Sequence, residues 1–159
     1  MALVHRAVLP LRILLVLTFL LLLVFQTLSF PGQFAHMARE DPDDAYLRWP
    51  LTIFMALEIL CVQVVIVCTW KLLTMVQQDR IFSDEAMRWV DTIIGAIAAA
   101  WLLLLGGFLY VGFNADDPGL PLVLTMLLLL GGTFGTLMVV LRALLRQATT
   151  LRTDMDGVI

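Results

Sequence analysis

Apolar residues run in four long blocks along the chain, and short polar segments separate them. The blocks are Ile13 to Phe30, Leu51 to about Trp70, Ile93 to Phe113 and Leu120 to about Leu145. Each is long enough to cross a hydrocarbon core, which takes about 20 residues of helix. None alternates with period two, so strands do not compete. Arg12 precedes the first block and Pro31-Gly32 closes it, while Pro50 opens the second as a helix-starting residue. Asn114-Ala115-Asp116-Asp117-Pro118-Gly119 reads as a turn. The first block has the basic start of a signal peptide, but its apolar core is too long and no small-x-small site follows, so it is read as a retained span. The pattern predicts an all-α integral membrane protein. Residues 1–159 form one domain, a bundle of four transmembrane helices with a helical hairpin connector between spans two and three.

Composition agrees with the pattern. Of the 159 residues 61% are apolar and 14% charged, whereas soluble domains have roughly 45–50% and about 25%. Too few charges exist to cover a soluble domain of this size, and mean hydropathy is +0.96. The net charge of −3 gives no electrostatic footprint for direct nucleic-acid binding. Cys61 and Cys68 lie in one apolar run, about 10 Å apart on a single helix, beyond disulfide reach.

The basic residues set an orientation. Arg6 and Arg12 precede span one, Lys71, Arg80 and Arg88 lie between spans two and three, and Arg142, Arg146 and Arg152 follow span four. These are eight of the ten Lys and Arg residues. The first loop, Gln33 to Trp49, sets Arg39 and Arg48 against Glu40, Asp41, Asp43 and Asp44, and the last turn holds only Asp116 and Asp117. Both termini and the middle connector are therefore expected on the cytoplasmic side of the cell membrane. Spans two and four are expected to continue as helices beyond the bilayer, through Lys71 to Val76 and through Arg142 to Arg146.

The connector reads as a defined hairpin. Ser83 is a candidate N-cap, with Asp84 and Glu85 in the first turn of the next helix. Phe82 and Met87 have the spacing of a hydrophobic staple, and a tight turn is placed at Gln78 to Phe82. Here the chain resembles a bacterial membrane family, that of domain of unknown function 2975. Four helices at this spacing and the run Arg80-Ile81-Phe82-Ser83 before span three carry the resemblance, which extends over nearly the whole chain. One departure is visible, since family connectors are typically more basic than this one. The resemblance implies no catalytic residues. It implies a small helix-turn-helix DNA-binding regulator as a cytoplasmic protein partner; the surface expected to bind a partner is Arg80, Ile81, Phe82 and Ser83 of the connector with Arg142, Arg146 and Arg152 of the C-terminal helix. As residues alone, the same connector also reads as a structural turn that fixes the helix ends.

Glu58 is the one acid deep within a span. A charge there costs roughly 2.5–3.5 kcal/mol, and an intramembrane acid is a candidate functional site. Depth matching places Gln26, Tyr110 and Thr125 about one turn nearer the outside, with Gly106-Gly107 at its own level. Two readings stand side by side, a neutral acid tying helices together or a proton or cation site. Gly131 and Gly135 form a Gly-x-x-x-Gly pair for helix packing, and Gly95 with Ala99 forms a similar pair of small residues. A homo-oligomer is left open.

No catalytic set is visible. His5 and His36 fall on opposite sides of the membrane, which removes a bis-histidine haem site, and two thiols without histidine make a zinc site a poor fit. No phosphate loop or catalytic triad is present, and Asp41, Asp43 and Asp44 lack a calcium-loop pattern. No cofactor and no metal are expected. The expected function is a non-enzymatic membrane regulator or scaffold that binds a cytoplasmic partner. The alternatives are a small proton- or ion-coupled transporter using Glu58 and an accessory subunit of a larger membrane complex.

Overall fold

The computed structural model describes residues 2–158, and these are helical almost throughout, with no strand among them. Four helical runs are long and apolar enough to cross a membrane: Ala2–Glu40, Pro42–Gln77, Asp84–Asn114 and Gly119–Val158. Their sides expose large apolar residues such as Leu17, Leu20, Leu21, Leu102, Leu129 and Val139. In water such continuous apolar surface drives association, whereas in lipid it is the contact surface. Threonines on these helices turn inward on their own backbone. The hydroxyls of Thr18, Thr133 and Thr136 each donate to the carbonyl four residues back at 2.8 Å, which leaves no dangling hydroxyl in hydrocarbon.

The chain divides into two compact units, the first up to Ile66 and the second from Val67. The first contains α1 (Ala2–Val24), a π-helical turn (Phe25–Ser29), α2 (Phe30–Glu40), a 3-10 turn (Pro42–Leu47) and the start of α3 (Arg48–Gln77). The first helix does not close at Pro31-Gly32, which corrects the expectation. Pro31 falls in the first turn of α2, where its missing N–H is tolerated. The π turn just before it lets the Phe30 N–H reach back to the Phe25 carbonyl, five residues away. That extra residue per turn accommodates the proline without ending the helix. The break comes at Asp41 (φ −119°, ψ 89°), because Pro42 disfavours helical geometry in the residue before it. The segment expected as an open loop is thus helix, a one-residue break, and a 3-10 turn that carries Asp43 and Asp44.

The second unit contains the rest of α3, the connector, α4 (Asp84–Asn114) and α5 (Gly119–Val158). The turn between α4 and α5 is where composition places it. The Ala115 N–H donates to Val111 O (2.7 Å), and the Gly119 N–H to the Asp117 carboxylate (3.2 Å). The two helices pack through small residues on α5. A Cβ added at Gly131 would lie 3.3 Å from Cδ1 of Trp101, and one at Gly135 3.3 Å from Cγ2 of Ile97. The Trp101 indole thus rests on the glycine run and donates its N–H to the Leu128 carbonyl at 2.9 Å. At Gly106 an added Cβ would meet no atom within 4 Å.

Gly131→Leu and Gly135→Leu are each expected to overpack this seam by about 1–3 kcal/mol. At about 2–4 °C per kcal/mol for a chain of this size, the Tm of the detergent-purified protein falls by several degrees in scanning fluorimetry. Gly106→Ala is expected to leave Tm nearly unchanged, and an equal loss there would contradict the seam.

Candidate functional site

The sequence-predicted partner residues gather at the connector and along α5. The end of α3 is closed by a pair of reverse hydrogen bonds: Arg80 N–H to Met75 O (2.8 Å) and Asp79 N–H to Val76 O (3.2 Å). This is the Schellman arrangement, with Asp79 in the left-handed position at φ 55°. Glycine commonly fills that position, but aspartate tolerates it better than most residues. Four residues on, Ser83 caps α4. Its hydroxyl accepts from the Ala86 N–H (3.3 Å) and donates to the Arg80 carbonyl (2.7 Å). The connector is therefore held by its own backbone at both ends, as the capping pattern predicts.

Side chains then tie it to the rest of the unit. Arg80 pairs with Glu85 and also donates to Gln78 Oε1 (3.1 Å). Arg152 of α5 reaches the Asp79 carboxylate at 3.2 Å, and its guanidinium lies 5.4 Å from the centroid of the Phe82 ring. Two turns into α4 and just before its apolar block, Asp91 pairs with Arg142 through two guanidinium nitrogens, Nε and Nη2. Ile81 is half-buried, while Phe82 is 39% exposed. An open groove runs along α5 past Arg142, Ala143, Arg146, Gln147, Thr150 and Leu151. Of the predicted cations, Arg80 and Arg142 are thus engaged within the chain, and Arg146 is exposed.

The intramembrane residues are placed differently. Gln26, in the π turn, donates to the Ala56 carbonyl of α3 at 3.2 Å. Thr125 donates to the Pro121 carbonyl of its own helix at 2.8 Å, and Tyr110 is 51% exposed. Glu58 is half-buried, and its Oε1 has no hydrogen-bond partner among the described residues. Gln63, one turn further, is 6% exposed, and its Nε2 is likewise unpartnered there. A buried polar atom of this kind costs about 1–3 kcal/mol, so each marks a place where the bundle's packing alone does not account for the residue. Among the described residues no cluster of three metal-ligating side chains occurs.

Sequence reasoning missed Trp101 and the pairing of Asp79 with Arg152, although it placed Arg152 on the expected docking surface. Trp101 had a usable signal, because antiparallel depth matching sets it opposite Gly131-Gly132. Arg152 and Asp79 are 73 positions apart, and nothing local links them. The Asp91–Arg142 pair yields a direct check by charge reversal. Arg142→Asp is expected to lower Tm by several degrees through like-charge contact with Asp91, and adding Asp91→Arg to recover most of it. Failure of the double variant to recover would show that the pair is not formed.

The chain was compared with known families, curated proteins and solved structures. Residues 32–159 match the model of the family described as protein of unknown function, DUF2975. No curated protein matches, and no solved structure matches. The match covers the connector, α4 and α5 entire, and with the four membrane-capable helices it establishes that the chain belongs to the DUF2975 family.

Proposed function

We propose that this protein is a non-enzymatic membrane scaffold or regulator that docks a soluble protein on its cytoplasmic face. The chain acts as one four-helix domain in the cell membrane, with both termini and the connector on the inner side. The charge distribution supports that orientation, since eight of the ten basic residues fall on one side of the four spans. The observation that carries the reading is an exposed connector ordered by its own backbone and linked to α5 through Arg152, Asp79 and Phe82. A surface fixed in advance loses less freedom on docking than a floppy one. Phe82 supplies a half-exposed aromatic anchor, and Arg80, Ile81, Ser83, Arg142 and Arg146 complete the proposed surface. The partner we propose is the small helix-turn-helix regulator that the family resemblance implies.

A second reading rests on Glu58. Its unpartnered Oε1 fits a proton or cation site in a small transporter, working alone or within a larger membrane complex.

One experiment separates the two. The tagged protein is isolated from its own membranes in mild detergent, and co-purifying proteins are quantified by mass spectrometry. A small DNA-binding protein is expected, reduced at least fivefold by Phe82→Ala and retained by Glu58→Gln. Connector variants that keep every partner would end the docking reading. Proton flux in vesicles that Glu58→Gln abolishes would establish the second reading in its place.

A further inference from the structure

We infer that Asp79 and Phe82 form a seat for an arginine side chain, which Arg152 fills from within the chain and an arginine of a basic protein partner takes over on docking. This rests on the docking reading above and adds the chemistry of the partner.

The seat has two walls of different kinds. The Asp79 carboxylate accepts from Arg152 Nη2 at 3.2 Å, while the Phe82 ring lies 5.4 Å from the guanidinium carbon. A carboxylate beside an aromatic face suits a guanidinium, which is planar and can donate at its edge while its face rests on the ring. An ammonium satisfies the charge but not the stacking.

Neither wall depends on Arg152 for its position. Asp79 is fixed by the left-handed turn and the two hydrogen bonds that close α3. Phe82 immediately precedes Ser83, whose hydroxyl holds the Arg80 carbonyl and the Ala86 N–H. The neighbouring cation, Arg80, is engaged by Glu85 and Gln78 and does not compete. An empty seat would therefore keep its shape.

The internal occupant is weakly held. The Arg152 and Asp79 side chains are 41% and 68% exposed, and ion pairs so exposed to water are only slightly favourable. Releasing Arg152 requires a change of side-chain rotamer on an exposed helix, not unfolding of α5. The same exposure lets an external arginine reach the carboxylate. A second carboxylate, that of Asp84, is exposed in the first turn of α4 two residues after Phe82. The partner surface is thus one that presents an arginine from a basic segment, and Arg152 sets the threshold it must exceed.

The test uses the full chain in nanodiscs of phosphatidylcholine, which carry no net lipid charge. The probe is a fluorescent synthetic helical peptide with arginines on one face, together with its lysine counterpart. With Arg152 occupying the seat most of the time, its removal frees the competent state. Arg152→Ala is expected to bind the arginine peptide about threefold to tenfold tighter than the unaltered protein, with the lysine peptide gaining less. Asp79→Asn, which keeps a residue tolerant of the left-handed turn, should abolish that gain in the Arg152→Ala background. Phe82→Leu should reduce the preference for arginine over lysine. Equal affinities for the unaltered protein and Arg152→Ala would overturn the inference, as would a gain that survives Asp79→Asn. The peptide assay needs no natural partner, so its failure is distinct from failure of the co-purification experiment.

Discussion

Hydrocarbon offers no hydrogen-bond partners, so every backbone polar group within it must be satisfied by the chain itself. That constraint organises the whole protein. It makes the four spans helical, turns threonine hydroxyls back on their own carbonyls, and seats the Trp101 N–H on the Leu128 carbonyl. It also accounts for the π turn. Pro31 lacks an N–H, and the chain answers with a one-residue shift in hydrogen bonding just before it rather than with a loop. Among the described residues, non-helical backbone is confined to Asp41, Gln78 to Ser83 and Ala115 to Pro118.

At those ends the balance changes, because water competes for every polar contact. Single ion pairs there are weak, and the connector is held by several different devices at once. A Schellman turn closes α3, a serine caps α4, and Arg152 adds a charge and an aromatic contact from α5. The backbone devices give the connector its shape, and the side-chain contact adds a reversible link to the tail. The connector is thus ordered by its backbone, and its contact with the tail can open without disturbing that order.

What sequence reasoning could see was local. Ser83 with Asp84 and Glu85 announces a capped helix, and the Asn114 to Gly119 run announces a turn, because both signals lie within a few residues. The family was legible from Arg80-Ile81-Phe82-Ser83 and the spacing of the spans. Pro31 misled, since a proline in the first turn of a helix and a proline that ends one look alike until the hydrogen bonding around them is known. Asp41, the true break, was legible in principle from Pro42. The long-range pairs were not. Asp91 and Arg142 are 51 positions apart and Asp79 and Arg152 are 73 apart, and their meeting depends on the register between helices that no local pattern sets. Glu58 was visible as an anomaly by its type and depth, but that its Oε1 finds no partner among the described residues is a property of packing.

The central claim is that the connector and the end of α5 form one ordered surface joined by Arg152. Hydrogen–deuterium exchange on the protein in nanodiscs measures this most directly. Amides of residues 78–86 and 146–156 are expected to be protected together, and residues 78–86 to stay protected in Arg152→Ala, because the turn that closes α3 and the Ser83 cap hold them. Free exchange of the connector in the unaltered protein, or loss of its protection in Arg152→Ala, would contradict the account.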